Sequence, residues 1–225
     1  MKIELSPRLS AAASLVRGGG VLADIGTDHG YLPVYLVQKG VITSAIAADI
    51  GKLPLENARQ TVKKYGLEEK IALRLSDGLN AFSETEVAEI VFAGMGGTLI
   101  AEKLSEIPWV KNKSLHFIFQ PQSRAEELRA FLFDNGFEIC EETAVCEGKR
   151  CYIAFDAVYT GVKKSYKYSD CFLGKLPKTP ESEKHISHQL CRMQKKYDAL
   201  ILKGETEETV RLLKLITDLK DFLND

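Results

Sequence analysis

Val21-Leu22-Ala23-Asp24-Ile25-Gly26-Thr27-Asp28-His29-Gly30 decides the fold. A short apolar run passes into a turn bounded by two glycines. Tyr31 to Gln38 then reads as a helix that Gly40 stops. This is a strand–turn–helix unit, the element from which α/β sheets are built. The turn matches neither G-x-G-x-x-G nor G-x-x-x-x-G-K-[ST].

Working outward, the same alternation recurs. Upstream, Ser6-Pro7 opens a helix in which Leu9, Ala12, Ala13 and Val16 fall at helical spacing, and Gly18-Gly19-Gly20 ends it. Downstream, Thr43–Ala48 is a strand ending at Asp49, and Lys52–Tyr65 is a helix ending at Gly66. Ile71–Leu75 is a strand before Asp77-Gly78, and Val87–Ala93 is another before Gly94-Met95-Gly96-Gly97. A helix from about Thr98 to Glu106, a strand over Leu115–Phe119 ending at Gln120-Pro121, and a helix over Ala125–Asn135 follow. Phe137–Val145 and Cys151–Tyr159 read as an antiparallel hairpin around Glu147-Gly148-Lys149-Arg150. The expected architecture is a mostly parallel, Rossmann-like sheet covered on both faces. Asp24, Asp49, Asp77, Gly94 and Gln120 should share the rim at the carboxyl ends of its strands, where such sheets bind ligands.

The composition fits one α/β domain with an appendage. The 225 residues are 45% hydrophobic and 27% charged, with a net charge of −1, so wholesale disorder is excluded and no global nucleic-acid signal exists. No apolar run reaches the ~18 residues of a membrane span, and Met1 to Leu5 has no apolar core of a secretion signal. Cys140, Cys146, Cys151, Cys171 and Cys191 form no C-x-x-C pair; reduced thiols in a cytoplasm are expected, with neither disulfide nor metal. His185 and His188, three apart with no third ligand, read as surface residues.

The composition shifts after Tyr159. Residues 163–203 hold ten basic side chains against four acidic ones, and the last 22 residues hold three against six. Thr179-Pro180 starts a helix with a seam of Ile186, Leu190, Met193, Tyr197 and Leu200 at 4-3-4-3 spacing. After Gly204 a second helix carries Leu212, Leu215 or Ile216, Leu219 and Leu223, which makes a helical, coiled-coil-like hairpin. The expected boundaries are 1–161 and 162–225.

Several of these motifs carry chemistry. The turn at Asp24, Gly26, Asp28 and Gly30 fits the acidic-x-Gly-x-Gly-x-Gly pattern of S-adenosylmethionine (SAM) enzymes, with Asp28 at the middle glycine. Asp49, at the end of the second strand, can accept from two ribose hydroxyls, a role shared with nicotinamide enzymes. Asp77 can accept from an adenine amino group, or simply make an Asp-Gly turn. Met95 and its flanking glycines allow a flat base to approach the backbone. The Asn-Pro-Pro-Tyr loop of enzymes that methylate exocyclic nitrogens is absent.

Taken together, Leu5-Ser6-Pro7-Arg8-Leu9, Ala23 to Pro33, Ala48-Asp49-Ile50, Pro54-Leu55-Glu56-Asn57-Ala58, Ser76-Asp77-Gly78-Leu79, Gly94 to Gly97, and Gln120-Pro121 before Leu128-Arg129 resemble the TrmK-type bacterial tRNA (adenine-22-N1)-methyltransferases. The resemblance implies a SAM-dependent enzyme that methylates N1 of an adenine in tRNA. It also implies cofactor contacts from Asp24, Gly26, Thr27, Gly30, Asp49, Ile50, Asp77, Gly78, Gly94 and Met95. Asp28, His29 and Tyr31 are the catalytic candidates; Asp28 either assists the chemistry or holds the cofactor's amino group. Arg8, Gly96, Gly97, Gln120 and Pro121 are expected on the substrate side. Lys163, Lys164, Lys167, Arg192, Lys195 and Lys196 are expected to follow tRNA phosphates, the alternative being a solvated helical face. A cytoplasmic protein is expected; the sequence leaves its oligomeric state open, with a monomer favoured. A nicotinamide-dependent oxidoreductase and a non-catalytic RNA-binding protein are the competing readings.

Overall fold

The computed structural model describes residues 2–204 and 206–224. Residue 225, the end of the expected hairpin, lies outside them. The elements in order are α1 (Pro7–Ser14), β1 (Val21–Ile25), α2 (Tyr31–Gln38), β2 (Ser44–Asp49), α3 (Lys52–Lys64), β3 (Ile71–Leu75), β4 (Glu89–Ala93) and α4 (Gly97–Ser105). After a short 3-10 turn come β5 (His116–Gln120), α5 (Ala125–Asp134), β6 (Phe137–Glu147), β7 (Arg150–Tyr159), α6 (Asp170–Leu173), α7 (Pro180–Ile201) and α8 (Glu207–Asn224).

Seven strands form one mixed sheet in the order β3-β2-β1-β4-β5-β7-β6. The first five are parallel; β7 runs antiparallel to β5 and pairs with β6. Side-chain alternation builds the two layers. Ala23, Ile25, Ile90, Phe92, Phe117 and Phe119 face a core shared with α4, α5, α7 and α8. Leu22, Val91 and Ile118 face the opposite core beneath α1 and α2. The link from β3 to β4 forms turns, with Leu79, Phe82 and Val87 buried.

Two buried polar clusters tie elements together. At the amino ends of the parallel strands, the His116 ring lies 2.9 Å from Glu89 and 2.8 Å from Asp156, and Arg17 reaches Asp156 at 2.7 Å. Arg129, in α5, meets Glu142 of β6 at 2.9 Å and donates to the Cys171 carbonyl at 2.7 Å. The segment before α7 is thereby anchored, and its Cys171, Phe172 and Leu176 are buried.

The thiol expectation fails for one pair. Cys146 stands opposite Cys151 in the β6–β7 register, and the two form a disulfide. Spacing in sequence hides this, because the tight turn at Gly148-Lys149 is what folds position 146 onto 151. Cys140, Cys171 and Cys191 are free.

The hairpin of α7 and α8 docks on the sheet. Thr179 caps α7, its hydroxyl accepting from the Ser182 amide at 3.2 Å. Ile186, Met193, Leu212, Leu215, Ile216 and Leu219 join the core that contains Phe155 and Phe172. Leu190, Tyr197 and Leu200, the rest of the expected seam, pack on its margin. Ser6, by contrast, precedes α1 without capping it.

Candidate active site

The rim at the carboxyl ends of β1 and β4 opens into a cleft of about 210 Å³, with Asp49 and Ile50 at the end of β2 outside its walls. Its walls include Arg8, Asp24, Asp28, His29, Tyr31 and Gly94. The backbone amides of Gly26 and Thr27 donate to the Ala48 carbonyl at 2.8 and 2.9 Å, which fixes the β1 turn against β2. The loops after β4 and β5 are joined in the same way. Gly94 donates to the Gln120 carbonyl at 3.0 Å, Gln122 to that of Met95 at 2.9 Å, and Gly97 to that of Ser123 at 2.7 Å.

Three of the rim carboxylates, Asp24, Asp28 and Asp49, lie near one another. Asp24 is buried, and burial pushes its carboxyl up to about 6, helped by the nearby Asp49 charge. Asp49 is also raised, by partial burial and by Asp28, although its Oδ1 accepts from the Gly51 amide at 2.7 Å. Asp28 is exposed and lies 3.3 Å from His29 Nε2. The His29 ring stacks on Tyr31 with centroids 5.1 Å apart, and Tyr31 is 43% exposed. Together they present an aromatic surface at the mouth of the cleft.

The site suits a small cationic nucleoside. A Cβ on Gly94 would stand 3.4 Å from Arg8 Nη1 and 3.5 Å from Gln122 Nε2, in space that the glycine leaves to a ligand. Asp24 is a buried acceptor close to other acids, an arrangement that an ammonium relieves. Asp49 keeps Oδ2 beyond the Gly51 contact, and Ile50 beside it is 68% exposed, an apolar face for a flat ring.

Residues 5–155 match the family described as Methyltransferase domain. A Bacillus subtilis tRNA (adenine(22)-N(1))-methyltransferase is 32% identical over 100% of this chain and 97% of its own. The chain belongs to this methyltransferase family. The crystal structure of the B. subtilis M1A22 tRNA methyltransferase TrmK superposes with a TM-score of 0.83 at 30% identity, covering 99% and 100% of the two chains. A Streptococcus pneumoniae structure in complex with S-adenosyl-L-methionine is 36% identical, with a TM-score of 0.78 and 98% and 100% coverage. The nicotinamide reading and the non-catalytic reading both give way to the methyltransferase family.

Within this methyltransferase the expected residues divide by position. Asp24, Gly26, Thr27, Asp28, His29, Gly30, Tyr31, Gly94 and Arg8 line one cleft. Met95 closes its side, with Sδ 3.0 Å from where a Gly26 Cβ would lie. Asp77 sits at the same rim, but Lys103 Nζ holds its Oδ2 at 2.9 Å and packs its stem over Gly78. Three of the residues expected on the substrate side are buried. Gln120 is 0% exposed and accepts from Arg8 Nη1 at 3.3 Å. Pro121 is buried. Gly97 is buried where a Cβ would come within 2.2 Å of the Arg124 carbonyl oxygen, so it permits loop packing.

The basic residues also separate. Arg192 pairs with Glu126 at 3.1 Å beside the rim, and Lys195 and Lys196 lie about one turn further along α7. Lys163, Lys164 and Lys167 follow the end of β7 whose Val158 pairs with His116, at the opposite end of the sheet. The reason is topological: β7 runs antiparallel and carries the chain away from the rim.

Sequence reasoning missed Gln122, which lines the cleft, and Glu147, whose Oε1 accepts from the Arg8 amide at 3.0 Å. It also placed His185 on the surface, whereas the ring is buried against β7 while His188 is exposed. Among the described residues no three His, Cys, Asp or Glu side chains converge as a metal site, and no helix is long and apolar enough to cross a membrane.

Proposed function

We propose that the chain transfers the methyl group of SAM to N1 of adenine 22 in tRNA. The observation that supports this best is the cleft that brings Arg8, Asp24, Asp28, His29 and Tyr31 together in a full-length relative of the B. subtilis enzyme. SAM supplies an activated methyl, which leaves the protein mainly the task of alignment. Asp24 would accept from the cofactor's amino group and Asp49 from its ribose hydroxyls. Ile50 and Asp77 would hold its adenine. Thr27, Gly30, Gly78, Gly94 and Met95 shape the remaining walls.

His29 and Tyr31 provide the surface on which the target base stacks. As N1 gains its methyl, the ring becomes cationic. Asp28 stabilises that charge or accepts the amino proton. Arg8, held by Gln120 and Glu147, contacts the adjoining phosphate, with Gly96 beside it. We take residues 1–161 as the catalytic unit and 162–225 as the RNA-holding unit, with Arg192, Lys195 and Lys196 along the phosphates. The enzyme acts as a monomer in the cytoplasm, where its substrate is found.

The experiment is transfer of labelled methyl from SAM to a tRNA transcript, followed by mapping of the modified nucleotide. One m1A at position 22 is expected, and none in a transcript with G22. Transfer to another position, or none at all, would overturn the reading.

A further inference from the structure

A second cleft lies beside the first, and Gln122 lines both. It encloses about 140 Å³ between the loop from Pro121 to Glu126, residues 151–153 of β7, and α7. From α7 come His185, Gln189 and Arg192, at i, i+4 and i+7. This polar stripe runs one position ahead of the apolar seam Ile186, Leu190 and Met193, so α7 packs one face into the core and turns the next toward the cleft.

One group in the cleft is left unsatisfied by the fold. Gln189 Oε1 is buried without a hydrogen-bond partner among the described residues, an arrangement folding disfavours unless a ligand completes it. His185 is 8% exposed and donates to the Cys151 backbone carbonyl. Burial holds its ring neutral, pushed down to about 4, which leaves the second ring nitrogen an acceptor.

At the mouth stand two guanidinium groups. Arg192 is held by Glu126 at 3.1 Å, and Arg124 by Glu127 at 3.3 Å. Arg124 has φ 55°, the one positive value at a non-glycine among the described residues. Backbone strain of this kind concentrates at functional positions. Here it holds the arginine on the loop locked to Gly96 and Gly97. Acceptors inside and guanidiniums outside match a nucleotide, with base N–H groups inward and phosphate outward.

We propose that this cleft is a subsite for a nucleotide flanking the methylated adenine, with Gln189 and His185 accepting from its base and Arg124 and Arg192 holding its phosphate. The proposal rests on the tRNA reading above. It assigns a specificity role to residues outside the methyl-transfer cleft.

The test uses the full-length protein and tRNAs carrying an abasic site on either side of the target. Wild type should lose about 10-fold in kcat/KM at one of the two positions, the scale of a lost hydrogen-bonded contact. Gln189→Leu should lose about as much on intact tRNA, but nothing further on that abasic RNA, with SAM affinity by calorimetry unchanged. Losses that simply multiply at both positions would overturn the subsite. Arg124→Gly separates function from folding, because glycine accepts the positive φ. Its melting temperature should hold or rise, while the KM for tRNA rises several-fold. An unchanged KM would also overturn the proposal. If wild type binds SAM but methylates no tRNA, the functional reading fails separately. RNA affinity by fluorescence anisotropy then decides the subsite through the same comparison of variants and abasic RNAs.

Discussion

At the residue scale, the rim aspartates differ by environment, and that difference is testable. Asp24 has its carboxyl raised from 3.8 to about 6. For an acid raised in the folded state, the contribution to stability is complete below the unfolded value and is lost as pH rises through about 6. Near pH 8 the buried charge then costs about 3 kcal/mol. Asp24→Asn should therefore raise the melting temperature at pH 8, give a smaller gain at pH 5, and weaken SAM binding at both. A variant less stable than wild type at pH 8 would contradict this. Asp28 is exposed, so its variant probes chemistry rather than stability. With Asp28→Asn, single-turnover transfer should fall ~10²-fold at saturating SAM, as for a lost acid–base group. Recovery at high SAM would instead make Asp28 a ligand of the cofactor. Strand-end position made Asp24 legible as a site residue, and its place at the middle glycine of the turn did the same for Asp28. Burial was not legible, since it depends on which side of the turn each carboxylate faces.

The element scale explains what pattern reading could and could not reach. Strand and helix periodicity located β1 to β5, because each strand is a short apolar run ended by a turn residue. What crosses between elements was hidden: the Cys146–Cys151 bond, the Arg129–Glu142 pair, and His116 between Glu89 and Asp156. The last of these joins β4, β5, β7 and, through Arg17, the end of α1. Burial alone would lower the His116 pKa, but its bonds to Asp156 and Glu89 hold it above the ordinary value. Burial alone would raise both carboxyls, but His116 holds them below theirs. The stability from the histidine is present below its unfolded value and lost as pH rises through the raised one. The carboxylate share is lost as pH falls through their lowered values. Stability should thus peak in the mildly acidic to neutral range. His116→Leu removes the ring bond of each acid, leaving Asp156 to Arg17 and Glu89 to the Arg17 and Gly18 amides, and should cost about 3 kcal/mol in urea unfolding at pH 6.5, as for two lost hydrogen bonds to charged groups. A loss below about 1 kcal/mol, the range of exposed pairs, would show that the cluster is not coupled.

At the scale of the whole molecule, charge and core divide the chain differently. The charge shift after Tyr159 was legible and suggested a separate appendage. The core joins that appendage to the sheet, since Ile186, Met193, Leu212 and Leu219 share a cluster with Phe155 and Phe172. Cutting the chain near Gly161 would expose that cluster, so the RNA-holding role is better tested by removing charge. Sequence treated the basic residues as one group because it cannot see that β7 runs away from the rim. The fold places Lys195 and Lys196 about one turn of α7 beyond Arg192, and Lys163, Lys164 and Lys167 at the far end of the sheet. A tRNA with its target base at His29 and Tyr31 should therefore meet the first pair and not the second group. Each phosphate contact removed should flatten the dependence of log K on log salt by about 0.9. Lys195→Ala with Lys196→Ala should reduce the slope for tRNA binding by about 1.8, given two such contacts, and leave SAM affinity unchanged. The triple change of Lys163, Lys164 and Lys167 to Ala should leave the slope within error of wild type. The opposite pattern would place the RNA on the other end of the molecule, away from the methyl-transfer cleft, and would sink the proposed interface.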